Sequence, residues 1–363
     1  MEIFLDAPNI GEKEKEYLSN CIDSTYVSTV GPFVPEFEKK FAEYLKVKRA
    51  VSTQSGTAAI HVALRELGIG SGDEVIVPVT TFIATVNPVM YVGATPVFVD
   101  IDPRTWNIDP KEVEKAVTPR TKAIIPVHLY GNPCDMDSLM EISNKHGIVV
   151  IEDATESLGA TYKGKMTGTF GKIGTFSFNG NKIMTTGGGG MIVTDDEKLA
   201  DHMKFLVNQA RDESKGYYHP EIGFNYRMTN LEASLGLAQF ERLSEFLEKK
   251  SEFRRLYFEF LSDNLNIEFQ EEYPDSKSSW WMSSIKINNS KKSIPEIQQE
   301  LKEKGIPTRR IFTPITEFPP YEKYRTSEYK SAYDLYEKGL NLPSSTLNSF
   351  EDIRKVCNIL NDL

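Results

Sequence analysis

The pattern of apolar and polar positions predicts a mostly parallel sheet with helices on both faces. Short apolar runs of strand length recur between residues 75 and 193, and stretches with helical spacing separate them. The predicted strands cover residues 75–79, 96–99, 123–127, 148–151, 173–178 and 191–193. The predicted helices between them cover residues 109–117, 136–145 and 197–208. The fold class is therefore α/β.

The segments on either side of this region predict further helices and a second domain. Helical spacing covers residues 12–22 and 35–44, and a long helix is predicted from residue 231 to residue 249 and beyond. After residue 240 the chain becomes richer in Glu and Lys. A strand is predicted there at 280–287, with helices at 293–304, 331–338 and 350–360. We predict a large domain over residues 1–240 and a smaller α+β domain over residues 241–363.

Polar residues follow the predicted strands, where parallel sheets bind ligands. Phe82 and His128 lie at two such positions, and Glu152 and Asp153 directly follow the strand at 148–151. A carboxylate there needs a cationic or hydrogen-bonding partner, and a protonated ring nitrogen is one candidate for Asp153. For His128, a structural role is the commoner outcome for a lone histidine.

Lys182 differs from most lysines of the chain. Its neighbours between residues 174 and 190 are small, uncharged polar or apolar, with no acidic residue among them. A lysine in such surroundings is a candidate nucleophilic amine that forms Schiff bases. Taken alone, a β-hairpin with a surface lysine in its turn is the simpler interpretation. The glycines at 187–190 precede a strand, so neither a dinucleotide fingerprint nor a phosphate loop fits.

A second candidate ligand site begins at Ser55-Gly56-Thr57. A short predicted strand ends at this turn and an amphipathic helix follows it. The free amides and the positive dipole end of such a helix can bind a phosphate. A simple helix cap by Ser55 or Thr57, without any ligand, explains the same residues equally well.

Composition excludes several classes of partner. The net charge of the 363 residues is −10, without a long basic run, which argues against nucleic acid and anionic membranes. The three cysteines and five histidines are scattered, so we expect neither disulfides nor a metal site. The first residues lack the pattern of a signal peptide, and we expect a cytoplasmic location.

Several of these motifs occur in one fixed order that is typical of a known family. They are Ser55-Gly56-Thr57, Thr81-Phe82, the segment 152–160, Ser177-Phe178 before Lys182, and the segment 223–230. Together they resemble the pyridoxal-phosphate-dependent sugar-nucleotide aminotransferases of the aspartate-aminotransferase superfamily, which have fold type I. The resemblance covers nearly the whole chain, including residues 340–345.

The resemblance implies a role for each cofactor-binding residue. Lys182 would hold pyridoxal 5′-phosphate covalently and move protons, and Asp153 would pair with the pyridinium nitrogen. Phe82 would stack on the ring. The remaining contacts would come from Gly56, Thr57 and Ser177 to the phosphate, from Asn225 to the phosphate across a homodimer with shared active sites, and from Glu156 near the ring oxygen.

The resemblance also implies a two-stage reaction. L-glutamate gives its amine to the cofactor, and a 4-keto-6-deoxy sugar nucleotide then accepts it at carbon 4, for bacterial surface-glycan biosynthesis. The segment 179–182 is similar to enzymes acting on UDP-linked sugars, whereas residues 309–321 are closer to GDP-perosamine synthases. The nucleotide therefore stays open, and amination at carbon 3 is an alternative.

Candidate substrate contacts are His128 and four arginines, Arg211, Arg227, Arg309 and Arg310. For each arginine, a surface salt bridge is as good an explanation as a diphosphate contact. A regulator that has kept this fold is a rival hypothesis of another class. It would need an added DNA-binding segment, and no basic helix-turn-helix pattern occurs. A nicotinamide-dependent oxidoreductase would need a glycine fingerprint, which the sequence lacks.

Overall fold

The computed structural model describes residues 2–361 and confirms the α/β fold. The α-helices in this range are α1 (Glu12–Asp23), α2 (Phe33–Leu45), α3 (Gly56–Glu66), α4 (Ile83–Tyr91), α5 (Pro110–Ala116), α6 (Met136–His146), α7 (Glu197–Val207), α8 (Asn230–Phe240), α9 (Leu243–Leu261), α10 (Ile294–Glu303), α11 (Lys330–Lys338) and α12 (Phe350–Asn361). The strands are β1 (Arg49–Thr53), β2 (Glu74–Pro78), β3 (Thr95–Val99), β4 (Thr121–Ile124), β5 (Val149–Asp153), β6 (Thr161–Tyr162), β7 (Lys165–Met166), β8 (Ile173–Ser177), β9 (Gly190–Thr194), β10 (Ile267–Phe269), β11 (Ser276–Lys277), β12 (Ser283–Ile287), β13 (Arg309–Arg310) and β14 (Gly339–Leu342).

The central sheet has seven strands in the order β1-β9-β8-β5-β4-β2-β3. Neighbouring strands from β8 to β3 run parallel, whereas β9 is antiparallel to both β8 and β1. The carboxyl ends of β1, β2, β5 and β8 therefore lie at one edge of the sheet. Because α3 follows β1 and α4 follows β2, both helices present their N-termini at this same edge.

Three apolar clusters form the core. The largest packs against the central sheet, and a second cluster joins α5 and α6 to the opposite face of β2, β4 and β5 through Ile76, Ile124 and Val150. The third cluster joins α9 and α12 to the antiparallel sheet β10-β12-β14-β13 and includes Ile3, so the start of the chain packs against its C-terminal part. The division into domains at residue 240 stays a prediction.

The single long helix predicted from residue 231 is wrong, because α8 ends at Phe240 and α9 begins at Leu243. No Gly or Pro lies at the break, so the local sequence gives no signal of it. The guanidinium of Arg242 binds the buried carboxylate of Glu14, at 3.0 Å, and the carbonyl of Asn9. These contacts with Glu14 of α1 and with Asn9 before it lie at the break between α8 and α9.

Two predicted strands are longer than the observed ones. β4 ends at Ile124 instead of residue 127, and Pro126 has no N–H to continue the ladder. β12 begins at Ser283 rather than at residue 280, because Trp280 has a left-handed backbone conformation with φ of 49°. Because β12 begins later than predicted, Trp281 lies in the loop before this strand, and the loop faces the carboxyl edge of the central sheet.

Candidate active site

A cavity of about 800 Å³ lies at the carboxyl edge of the central sheet. The start of α3, the start of α4, the ends of β5 and β8 and the segment 309–318 surround it. Nine of the residues singled out from the sequence line this cavity, namely Gly56, Thr57, Phe82, Asp153, Glu156, Ser177, Lys182, Arg309 and Arg310. Four others, His128, Arg211, Arg227 and Asn225, do not line it.

Lys182 lies in the turn between β8 and β9, and its amine faces the cavity. The backbone N–H of Lys182 donates to the carbonyl of Asn179 at 2.9 Å, which closes the turn. Its Nζ lies 3.6 Å from Oε1 of Glu156 and 4.0 Å from the centre of the Trp281 ring. The side chain is only 12% exposed, so these two neighbours dominate the surroundings of the amine.

Asp153 is the last residue of β5 and is almost fully buried. Its Oδ2 accepts a hydrogen bond of 2.7 Å from Oγ1 of Thr85, and its Oδ1 accepts one of 3.1 Å from the N–H of Thr155. The Thr85 hydroxyl lies 2.8 Å from that of Thr81, one helical turn earlier. These contacts fix the orientation of the carboxylate on the cavity floor.

Glu152 and His128 form a separate buried pair. Successive strand residues face opposite sides, so Glu152 points away from the cavity that Asp153 lines. Nε2 of His128 lies 3.1 Å from Glu152, and Nδ1 of His128 accepts from the N–H of Cys134 at 3.0 Å. The N–H groups of Gly168 and Gly171 also donate to Glu152. His128 has no exposed surface, which removes the basis for a substrate contact.

Glu156 is the acidic group nearest to the Lys182 amine. Its Oε2 accepts a hydrogen bond of 2.8 Å from the N–H of Tyr130. Burial raises the pKa of Glu156 to about 7, although the positive charge of Lys182 and the Tyr130 hydrogen bond oppose this shift. Near neutral pH the carboxyl therefore can both hold and release a proton beside the amine.

The N-terminus of α3 forms one wall of the cavity. Oγ of Ser55 caps the helix by accepting from the N–H of Ala58 at 3.0 Å. The N–H groups of the first turn, including those of Gly56 and Thr57, have no partner inside the helix. A Cβ atom on Gly56 would lie 3.0 Å from both Cβ of Ser177 and Cγ2 of Thr155, so glycine allows the helix to approach β8 closely.

The two neighbouring arginines of β13 differ in their partners. Nη2 of Arg309 forms an ion pair of 2.7 Å with Asp6, and the side chain is 38% exposed. Arg310 donates to the hydroxyl and the carbonyl of Tyr336 and stacks on its ring, with 3.9 Å from Cζ to the ring centre. Arg310 is therefore held in place, whereas Arg309 can present N–H groups to a ligand.

The other predicted contacts lie outside the cavity. Arg211 donates to the carbonyl of Gly216 at 2.9 Å and lies over the ring of Tyr217. Arg227 is half-buried and Asn225 is exposed. Within one protomer, these three residues therefore have no access to a ligand beside Lys182.

The profile of the DegT/DnrJ/EryC1/StrS aminotransferase family matches residues 8–361. The chain belongs to this family. It is 44% identical to a GDP-perosamine synthase of Caulobacter vibrioides, over 98% of this chain and 96% of that protein. It is 43% identical to a GDP-perosamine synthase of Escherichia coli O157:H7, again over 98% and 96%. A solved sugar aminotransferase of Streptococcus pneumoniae in its pyridoxal-phosphate form superimposes with a TM-score of 0.94 at 29% identity, covering 99% of this chain and 97% of that one.

This membership confirms the resemblance found in the motifs. The chain is a pyridoxal-phosphate-dependent sugar aminotransferase of fold type I. Over residues 2–361, no helix is long and apolar enough to cross a membrane. In the same range, no group of three or more His, Cys, Asp or Glu side chains is placed to hold a metal ion.

Four residues of the aminotransferase site were missed in the sequence. They are Asp6, Thr85, Trp281 and Phe312, which contact Arg309, Asp153, Lys182 and Phe82 respectively. Thr85 follows Thr81 by four residues, but no helix was predicted there that would bring the two side chains together. The other three reach the site from distant parts of the chain.

Proposed function

We propose that this aminotransferase moves the amine of L-glutamate to carbon 4 of a 4-keto-6-deoxy sugar linked to GDP. The observation that carries the proposal is the single cavity that combines the Lys182 amine, buried carboxylates and the half-exposed Arg309. Its volume of about 800 Å³ is in the range of small-molecule and cofactor sites. Two curated relatives with 44% and 43% identity are GDP-perosamine synthases, which supports a GDP-linked sugar and amination at carbon 4.

The residues of the cavity fit pyridoxal phosphate. The first-turn N–H groups of α3 and the Ser177 hydroxyl would hold its phosphate, because a helix N-terminus attracts anions. Glycine at position 56 lets the start of α3 approach β8, which brings these N–H groups close to Ser177. Phe82 would pack on the ring, and Asp153 would hold the proton of the ring nitrogen. When bound, the cofactor supplies an electron sink for the carbon that gains or loses the amine.

Lys182 and Glu156 would manage the protons of the reaction. The Lys182 amine would form the covalent bond to the cofactor in the resting enzyme, and after its release would carry a proton at Nζ to and from substrate carbon. Glu156 lies 3.6 Å from that nitrogen and, with a pKa of about 7, can exchange a proton with it. The Trp281 ring covers the amine at 4.0 Å and limits access of water.

Arg309 would bind the diphosphate of the sugar nucleotide. A planar guanidinium can donate two parallel hydrogen bonds to phosphate oxygens. Because the net charge of the chain is −10, an anionic substrate needs a local positive charge of this kind. Arg310 would instead stabilise β13 through Tyr336. Of the arginines proposed from the sequence, Arg309 thus has the best geometry for substrate.

We also propose a homodimer in which Asn225 completes the site of the partner. Asn225 is exposed, and the side chains of Tyr217 and Ile222 close to it in sequence are 87% and 80% exposed. Large apolar side chains left in water are typical of a surface that another protein covers. Light scattering should give twice the mass of one chain, and a monomer at micromolar concentration would contradict the proposal.

The proposed function is tested with ¹⁵N-labelled L-glutamate and two acceptors, a GDP-linked and a UDP-linked 4-keto-6-deoxy sugar. We expect transfer to the GDP-linked sugar, with the label bonded to carbon 4 in the NMR spectrum of the product. Label at carbon 3 would contradict the position of amination. Transfer only to the UDP-linked sugar would contradict the nucleotide, and no transfer to either would contradict the substrate class.

A further inference from the structure

The N-terminal segment, residues 4–7, runs along the loop after β14. The N–H of Ser344 donates to the carbonyl of Leu5 at 2.6 Å, and the hydroxyl of Ser345 donates to the carbonyl of Ala7 at 2.7 Å. The side chain of Asn348 holds the N–H and the carbonyl of residue 4 at 2.8 and 2.7 Å. Backbone contacts on both sides of Asp6 therefore fix its position.

The carboxylate of Asp6 joins two residues that line the active-site cavity. Its Oδ2 accepts a hydrogen bond of 2.9 Å from Nδ2 of Asn181 and pairs with Nη2 of Arg309 at 2.7 Å. The Asp6 side chain is 15% exposed, so both contacts are partly shielded from water. One acidic group thus connects the residue before Lys182 with the candidate anion-binding arginine.

Asn181 is also held through its backbone. Its carbonyl accepts a hydrogen bond of 2.7 Å from Nε1 of Trp281, whose ring covers the Lys182 amine. The side chain and the main chain of Asn181 are therefore fixed by different parts of the protein. Loss of the Asp6 contact would leave the turn that carries Lys182 with one of these two supports.

Arg309 uses one end of its guanidinium for Asp6. Within residues 2–361, that carboxylate is the acidic partner of Arg309, which leaves the other N–H groups for a ligand. An arginine already held by a carboxylate loses less side-chain freedom when it binds an anion. The opposite charges of the pair offset each other, so Asp6 would act by fixing the orientation of Arg309 and not by strengthening its attraction for an anion.

We propose that Asp6 is a positioning residue that holds Arg309 as the anion-binding side chain of the cavity and supports the turn that carries Lys182. The inference rests on the proposed function in so far as the anion is the diphosphate of a sugar nucleotide. The carboxylate of glutamate is the other anion that enters the same cavity. Asp6 itself touches neither substrate and acts through Arg309 and Asn181.

The first test measures binding of GDP and UDP by calorimetry to the pyridoxal-phosphate form of the protein. Asp6→Asn should weaken nucleotide binding about tenfold, because Arg309 loses the ion pair that fixes its orientation. In an Arg309→Ala background, the same substitution should have no further effect, since the two residues act as one unit. Binding equal to wild type in Asp6→Asn, or effects that multiply in the double variant, would overturn the inference.

A matched control is Asp137→Asn, which breaks the exposed ion pair of Asp137 with Lys163 away from the cavity. This control should bind GDP and UDP like the wild type. If the wild type binds neither nucleotide, the sugar-nucleotide assignment fails, and the inference is then judged on glutamate alone. In that case Asp6→Asn should raise the KM for glutamate about tenfold, and an unchanged KM would overturn the inference.

A third variant separates the two contacts of Asp6. Asp6→Asn keeps an oxygen that can accept from Asn181, whereas Asp6→Ala removes it. Asp6→Asn should therefore raise the KM for the anionic substrate and leave kcat nearly unchanged. Asp6→Ala should raise this KM and also lower kcat about fivefold, because the turn that carries Lys182 is displaced. Equal kcat in both variants would contradict support of the turn. Thermal unfolding of each variant without substrate shows whether the fold itself is kept.

Discussion

Two regions of the active-site cavity hold their charged groups in different ways. We call the region of Asp153, Glu156 and Lys182 the floor, and the region of Arg309 and Asp6 the rim. On the floor, Asp153 and Glu156 are buried, and backbone or hydroxyl donors fix each carboxyl group. On the rim, Arg309 is 38% exposed and pairs with Asp6 from the opposite end of the chain. These floor groups lie at the end of β5 and just after it, whereas the rim joins segments more than 300 residues apart.

This difference corresponds to two tasks in the proposed reaction. A buried and fully bonded floor keeps charges oriented for one cofactor, which lowers the cost of reorganisation during the reaction. A partly exposed rim has to accept two different anionic substrates in turn. We therefore expect floor substitutions to lower kcat and rim substitutions to raise KM, and the following experiments test this division.

Lys182→Ala should have the largest effect. The variant loses the only amine that lies beside Glu156 and Trp281 in the described cavity, and turnover should fall at least about a thousandfold. The measurement is the rate of glutamate-dependent amine transfer, with Lys172→Ala as control, since Lys172 forms a surface pair with Asp196. Near-normal turnover of Lys182→Ala would remove this residue from the centre of the floor.

Asp153→Asn should lower kcat by about two orders of magnitude while the protein remains folded. Asparagine can still accept from Thr85, but it carries no negative charge to hold a proton on the ring nitrogen. A companion variant, Thr85→Val, keeps the charge and loses only the orienting hydroxyl, so its kcat should fall about tenfold. Steady-state kinetics of both variants test the order, and a milder effect for Asp153→Asn would contradict it.

Arg309→Ala and Arg310→Ala should separate binding from stability. Arg309→Ala should raise the KM for the sugar nucleotide about tenfold or more, through loss of a charged phosphate contact. Arg310→Ala loses two hydrogen bonds and the stacking on Tyr336, and its free energy of unfolding should fall by about 1–3 kcal/mol. Steady-state kinetics and urea unfolding of both variants test these expectations. A raised KM in Arg310→Ala together with a loss of stability in Arg309→Ala would contradict the assigned roles.

Glu156→Gln should change how stability depends on pH. The pKa of Glu156 rises from 4.5 to about 7 on folding, so the stability it contributes is fully present below about pH 4.5 and is lost as the pH rises through about 7. Between pH 5 and pH 8 the wild type should therefore lose roughly 2 kcal/mol more unfolding free energy than Glu156→Gln. Equal losses, measured by urea unfolding without cofactor, would show that this carboxyl is not the titrating group.

The smallest expected effect is that of Gly56→Ala. Its Cβ would crowd Ser177 and Thr155 at 3.0 Å and displace the start of α3, so cofactor affinity should fall about fivefold. Gly180→Ala is the matched control, because a Cβ at that glycine meets no atom within 4 Å. Titration with pyridoxal phosphate, followed by absorbance, gives both affinities. Equal affinities would contradict a phosphate site at α3.

The residues of the floor could be proposed from the sequence because local signals mark several of them and the fixed order of the family motifs assigns their roles. Asp153 follows a buried strand, Gly56 begins a capped helix, and Lys182 lies in a turn free of acidic residues. Each signal depends on neighbours within a few positions, and strand alternation even separates Asp153 from Glu152. The α/β class followed from the same short-range patterns.

The rim could not be predicted in this way, because its contacts depend on tertiary packing. Asp6 and Trp281 carry no local motif, and only the folded chain brings them to Arg309 and Lys182. For His128, the local signal is also insufficient. Its position after a strand resembles a site residue, but its two ring nitrogens bind Glu152 and the backbone of Cys134 instead.

The most direct test of the account is to locate the covalent bond to the cofactor. The protein is loaded with pyridoxal phosphate, reduced with borohydride, digested and examined by mass spectrometry, with and without prior addition of L-glutamate. We expect the pyridoxyl group on Lys182 in the first sample and its loss from Lys182 after glutamate. A modification on another lysine, or none on any, would contradict the assignment of Lys182 as the centre of this site.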